Sequence, residues 1–127
     1  MKALQCGDSL LEVMIALSIT AITALGFVAV QSALARGERL ALMRERAALI
    51  ADSVVESIRS DADRGAVVSQ WQSRAASLLP DADVTVQDRA DGTHVATVSW
   101  RADDRADPCP EPQAKPRASC IAVAFAR

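Results

Sequence analysis

Hydrophobic and polar positions along the chain follow three successive patterns, and each predicts a different element. The first is unbroken: from Val13 to Ala35 there are 23 residues without a charge. As a helix rising 1.5 Å per residue this run would be roughly 34 Å long, enough to cross a hydrocarbon core of about 30 Å. Its polar members before Gln31 are Ser18, Thr20 and Thr23. Their hydroxyls can donate back to helix carbonyls and so be carried in lipid. Length and lack of charge predict a membrane-crossing helix, because buried core helices are usually shorter and amphipathic. The second pattern is helical. Leu40, Met43, Ala47, Ile50, Val54 and Ile58 recur at spacings of three and four, and Arg39, Arg44, Glu45, Arg46, Asp52, Glu56 and Arg59 take the other face. An amphipathic half-helix is thus set directly on the apolar one, and its stripe needs a cover. The pattern lasts under three heptads, so a helix lying on its own sheet is favoured over a coiled coil.

Ser60 to Gly65 reads as the helix end, with Gly65 as a left-handed cap. Val67 or Val68, Trp71, Ala75 and Leu78 then repeat at helical spacing until Pro80, which predicts a short second helix over about Ala66–Leu79. Trp71 reads as a packing residue. After Pro80 the period falls to two. Val84 and Val86 alternate with Thr85 and Gln87, Arg89-Ala90-Asp91-Gly92 forms a turn, and Thr93–Arg101 returns as a strand. On that strand His94, Ala96, Val98 and Trp100 share one face, and the Val98–Trp100 face is expected to cover the helix. His94, the single histidine, reads as an exposed strand residue at the hairpin mouth. Asp103–Pro116, rich in proline and acid, reads as a loop, and Ser119–Phe125 as a last strand with Ile121, Val123 and Phe125 on one face. The fold class is α+β: long helix, short helix, hairpin, loop, final strand.

At 127 residues the chain has room for one anchor and one small domain. Its aromatic side chains are Phe27, Trp71, Trp100 and Phe125, so the soluble core must be built mostly from Val, Ala, Leu and Ile. Sixteen acidic residues against 14 basic ones argue against a nucleic-acid-binding surface, and no nucleic-acid partner is expected. No enzyme is expected either. The chain has one histidine, no glycine-rich phosphate loop and no cluster with metal-ligand spacing. Asp61, Asp63, Asp81 and Asp83 read as solvated caps in turns, and Asp103, Asp104 and Asp107 fit no calcium-loop pattern. No cofactor and no metal site are expected.

Glu12 is the anomaly, a carboxylate at the edge of an apolar span, where driving it to the bilayer centre would cost roughly 2.5–3.5 kcal/mol. What precedes it is informative. Met1–Gly7 holds one basic residue, Lys2, is too short for a secretory signal peptide, and precedes the apolar run. The stretch GDSLLEVMIALSITAITALGFVAV, Gly7–Val30, resembles the class III signal of type IV pilins and their relatives. In that family a peptidase cuts after a glycine, the new N-terminal residue is methylated, and a glutamate stands fifth in the mature chain. The resemblance makes Gly7 the glycine, Asp8 the first mature residue and Glu12 the fifth. Leu10, Leu11, Val13, Met14 and Ile15 occupy the flanking apolar positions, and Asp8 stands where the family usually has phenylalanine or another apolar residue.

The resemblance implies a pilin-like lollipop: a leader over 1–7, a transmembrane and filament-core helix over 8–35, and a small periplasmic α+β head over 36–127. Cys6 would leave with the leader. In an exported chain the remaining Cys109 and Cys120 are expected to pair, a loop worth roughly 3 kcal/mol in the chain-entropy model. A metal site is the alternative, but two cysteines without nearby histidines are a poor ligand set. Glu12 would pair with the free N-terminal amine of a neighbouring subunit in the filament core, which offsets the desolvation of both. The small head, Asp8, and Asp52-Ser53-Val54-Val55-Glu56-Ser57-Ile58-Arg59 at the helix end point to minor pilins of the PilV type. The implied role is to help start pilus assembly within a tip or priming complex. The implied partners are other minor pilins and pilus subunits, the prepilin peptidase and the inner-membrane assembly platform. The implied location is the inner membrane, then the pilus. A minor pseudopilin of a type II secretion system shares the same N-terminal text. A single-pass anchored binding domain would explain the span but not the Gly7–Glu12 spacing.

Overall fold

The apolar run and the amphipathic stripe form one helix. In the computed structural model, which describes residues 6–60, 62–102, 107–112 and 114–126, with side chains from residue 9, α1 extends over Cys6–Arg59. It is followed by α2 (Arg64–Leu78), β1 (Asp83–Asp88), β2 (His94–Arg101) and β3 (Ala118–Phe125), an α+β order. The chain divides into two compact units, Met1–Arg39 and Leu40–Arg127, and α1 contributes to both.

In the first unit the large apolar side chains of the helix from Leu10 to Leu34 are exposed. In the second unit the predicted stripe is buried. Ala47, Ile50, Val54 and Ile58 are joined by Ala51 and Val55, with Met43 half-buried beside them. These residues share one core with Val67, Ala75 and Leu79, with Val84 of β1, with Ala96, Val98 and Trp100 of β2, and with Phe125 of β3. Trp71, Ile121 and Val123 pack on its margin. The stripe is therefore covered by its own sheet, and the Val98–Trp100 face lies in that core as expected.

The junction between the helices differs from the expected one. Gly65 is not a left-handed cap of α1; it lies in the first turn of α2. Asp63 makes the break instead. It is extended (φ −61°, ψ 120°), and its Oδ2 accepts from the Ala66 N–H at 2.8 Å, which satisfies one of the donors that a helix start leaves unpaired. At the other end the Leu79 N–H donates to the Ala75 carbonyl at 2.9 Å, and Pro80 follows.

The sheet is antiparallel in the order β1-β2-β3. Asp88 pairs with His94 across the hairpin mouth. Gly92 sits at φ +82°, a backbone conformation that glycine adopts without penalty, and its N–H donates to the Arg89 carbonyl at 3.1 Å. Asp91 Oδ1 accepts from both the N–H and the hydroxyl of Thr93, at 2.9 and 2.6 Å, a local hold typical of turns.

Burial of the second face of β2 was not read from the sequence. Val95, Thr97 and Ser99 point away from the helix side, yet they are buried too. Described residues of the segment between β2 and β3 are tied back to β3 and to the end of β2. The Cys109 N–H donates to the Ala118 carbonyl at 2.8 Å, the Ser119 hydroxyl to the Asp107 carbonyl at 2.8 Å, and the Ala102 N–H to the Arg117 carbonyl at 3.0 Å. Cys109 and Cys120 are bonded to each other, with Cα atoms 5.0 Å apart, which removes the metal alternative for this pair. Glu111 and Ala114 line one small cleft with Thr85, Thr97 and Ser99. His94 also departs from expectation: it is half-buried, its ring centroid 5.4 Å from that of Phe125.

Two outcomes follow from this packing. Val98 is fully buried, so Val98→Ala is expected to lower unfolding stability by roughly 2–3 kcal/mol, whereas Leu49→Ala on the exposed face should stay within about 0.5 kcal/mol. Urea denaturation of the disulfide-intact chain reads both, and equal costs would mean that the core has been misplaced. Cys109→Ser paired with Cys120→Ser is expected to cost about 3 kcal/mol in the same assay.

Candidate processing and assembly segment

Gly7, Asp8 and Glu12 all fall within α1. Residues 1–5 of the expected leader lie outside the described residues. Glu12 is exposed, and so are its neighbours Leu11, Val13 and Met14. Beyond it the helix keeps its polar atoms to itself. The Ser18 hydroxyl donates to the Met14 carbonyl at 2.8 Å, Thr20 to Ala16 at 2.7 Å, Thr23 to Ile19 at 3.0 Å, and Ser32 to Val28 at 2.9 Å. A hydroxyl bonded in this way presents mainly carbon to its surroundings, so the segment is chemically fit for lipid. By length and composition α1 can cross a membrane. Glu12 is the one ionisable group between Ser9 and Ala35.

The other polar side chains of the head are mostly structural. Asp63 caps α2. Asp81 pairs with Arg101, and Asp107 with Arg44 at 2.9 Å. Exposed pairs of this kind contribute little, typically under about 1 kcal/mol. Asp61, Asp103 and Asp104 lie outside the described residues. Among the described residues no three of His, Cys, Asp and Glu gather as a metal site.

One cluster was missed in the sequence. Asp88 accepts from Arg64 Nη1 at 2.8 and 3.0 Å and lies 2.5 Å from His94 Nδ1. It ties the start of α2 to the hairpin mouth. The available signal was register: once the turn is centred on Asp91-Gly92, Asp88 and His94 become cross-strand neighbours. The hydrogen bond from His94, then that from Arg64, hold the Asp88 carboxyl below the ordinary carboxylate range. Asp91 is lowered too, by the Thr93 hydroxyl first and then by the Thr93 N–H.

Comparison with family models, with curated proteins and with solved structures finds no match for this chain.

The depressed carboxylates set a direction for acid stability. A group whose native pKa lies below its unfolded value stabilises above the unfolded value and loses that contribution as pH falls through the native one. The unfolding midpoint is therefore expected to drop below about pH 4, the unfolded carboxylate value. Asp88→Asn should flatten part of that decline while lowering the midpoint at neutral pH. Urea midpoints measured across the acid range test this, and an unchanged acid slope in Asp88→Asn would count against the cluster.

Proposed function

We propose that this protein is a minor subunit of a type IV pilus that helps to start filament assembly. The observation that carries the reading is Glu12, a single carboxylate placed five residues after Gly7 at the head of a helical segment whose large apolar side chains, Leu10 to Leu34, are exposed. An uncovered apolar helix is stable in a membrane or against like helices, and a filament core supplies the second environment once the first is left. Removal of Met1–Gly7 would place a free amine on Asp8. The amine of one subunit would then meet Glu12 of its neighbour, and each charge would offset the desolvation of the other. The chain would wait in the inner membrane with its head in the periplasm and join other minor pilins at the tip.

The start Leu10-Leu11-Glu12-Val13-Met14 is equally that of a minor pseudopilin, and the same chemistry would serve a type II secretion system. Both readings share the processing step. A membrane-anchored binding domain does not, and the Gly7–Glu12 spacing has no role in it.

Co-expression with a prepilin peptidase is expected to remove Met1–Gly7 and add a methyl group to Asp8, read as the intact mass and the N-terminal residue. A chain that still begins at Met1 would remove the filament reading and leave an anchored domain.

A further inference from the structure

The face of the sheet turned away from α1 carries oxygen where a covered face would carry carbon. β1 and β2 meet there in register, Asp83 opposite Ser99 and Thr85 opposite Thr97. Side chains alternate along each strand, so these four share one side of the sheet while Val84 and Val98 take the other. They mark the corners of a lattice roughly 5.5 Å across the paired strands and about 7 Å along them. Glu111 and Ala114, from the segment between β2 and β3, join them in lining a cleft of about 140 Å³. A single water needs about 10–15 Å³ of such space, so the cleft has room for a group of several heavy atoms.

The protein leaves most of these oxygens unused. Thr97 and Ser99 are each 8% exposed, and among the described residues neither hydroxyl has a hydrogen-bond partner. No fully sealed side-chain oxygen among the described residues lacks a partner, so both hydroxyl oxygens must open onto the cleft. Burying a hydroxyl without a partner is costly, and a ligand that bonds to it recovers that cost. The half-buried Thr85 hydroxyl and Asp83 carboxylate are likewise without partners among the described residues. Glu111 differs, because Arg89 Nη2 donates to its Oε1 at 3.4 Å. Arg101, Lys115 and Arg117 line a separate cleft that shares only Ser99 with this one. One uncompensated negative charge, on Asp83, therefore sits beside three uncommitted hydroxyls.

We infer that this cleft takes a protonated primary amine, its ammonium among Asp83, Thr85, Thr97 and Ser99 and its alkyl stem leading out to solvent. An ammonium is a compact charge with three N–H donors and no acceptor, so from the middle of the lattice it can donate to the carboxylate and to two hydroxyls at once. Hydrogen bonds of that charged kind are the strong ones. A guanidinium holds its donors in one planar fork, which suits a single carboxylate and not oxygens set at four corners. Calcium takes six to eight oxygens, carboxylates foremost, and here one carboxylate is uncommitted. A lysine side chain of another polypeptide and a free alkylamine share the chemistry. The inference stands on the head alone and does not depend on the filament reading.

The test titrates the full isotope-labelled chain in detergent with Nα-acetyl-lysine N-methylamide and follows backbone amide shifts by NMR. Saturable shifts at Thr85, Thr97 and Ser99 are expected in the millimolar range. The neutral norleucine analogue and calcium chloride should leave these amides unmoved, and the arginine analogue should bind at least about fivefold more weakly. Asp83→Asn keeps the size of the side chain and should weaken binding at least about tenfold. Thr97→Val removes one hydroxyl at nearly constant shape and should weaken it several-fold, while Glu111→Gln should matter less because Arg89 already engages that carboxylate. Circular dichroism confirms the fold of each variant; should one misfold, the contrast between the lysine and norleucine probes on the natural chain still decides. n-Butylammonium binding as tightly as the lysine probe would support a free amine as the ligand, and tighter binding of the lysine probe would support a polypeptide source. No binding, shifts reproduced by the norleucine analogue or matched by the arginine one, or binding that survives Asp83→Asn would overturn the inference. A saturable calcium response lost in Asp83→Asn would overturn it in favour of a metal.

Discussion

One helix has to satisfy two different surroundings, and most of the chain follows from that requirement. The first part of α1 is apolar on every side and holds its few hydroxyls against its own carbonyls. The second part is apolar on one side only, and there a sheet of three short strands suffices. The change of pattern at Leu40 coincides with the boundary between the two compact units. Where the apolar stripe narrows to one face, a head becomes possible.

The head is small, and its stability is drawn from both faces of β2. On one face Ala96, Val98 and Trp100 meet the helix stripe. On the other, Val95, Thr97 and Ser99 are buried as well, and Thr97 and Ser99 share a small cleft with Glu111 and Ala114 of the segment that the Cys109–Cys120 bond ties to β3. Burial on both sides lets a central strand of mostly small residues contribute to a core that has few large aromatic residues, Trp100 and Phe125 among them. The disulfide therefore ties the segment between β2 and β3 to the sheet as well as restricting the unfolded chain, which offsets a limited core.

Periodicity made the elements legible, and features without periodicity were not. The helix stripe, the alternation through Val84 and Val86, the Asp91-Gly92 turn and the final strand each have a repeat or a turn signal that can be read from the letters. Asp63 and Gly65 show the limit. Both residues suit a helix break, and the choice between a left-handed exit and a capped entry depends on whether a side chain finds the Ala66 N–H, which spacing alone does not state. The burial of Thr97 and Ser99 was hidden for another reason. They occupy the polar positions of an alternating strand, and the cover comes from a proline-rich segment with no pattern of its own. His94 was misread because its environment is set by Asp88 and Phe125, neighbours in space supplied by two other strands. Of the candidate segment, the Gly7–Glu12 spacing was legible in full, since it is a property of sequence position. What the structure adds there is that the large apolar side chains around Glu12 are exposed.

That addition bears on why an acidic residue is tolerated at this depth. A carboxylate among exposed leucines and methionines has three ways to avoid an uncompensated charge: remain at the water interface, take up a proton, or meet a cation. The first two require nothing of residues 1–7. The third requires a cation at a fixed distance along the helix, and this segment offers none of its own, since between Ser9 and Ala35 no residue is basic. A cation would then have to come from another chain or be created by cutting the backbone. The proposed cut after Gly7 would do this with the fewest parts: it would turn a neutral amide into an amine four residues before Glu12. Within a single helix that amine lies about one turn away, roughly 6 Å along the axis. Between two helices offset along a filament it would lie opposite. The distance between Gly7 and Glu12 is thus the quantity on which the proposed assembly chemistry turns, and moving Glu12 by one residue would rotate it about 100° away from that partner without changing composition, hydropathy or charge.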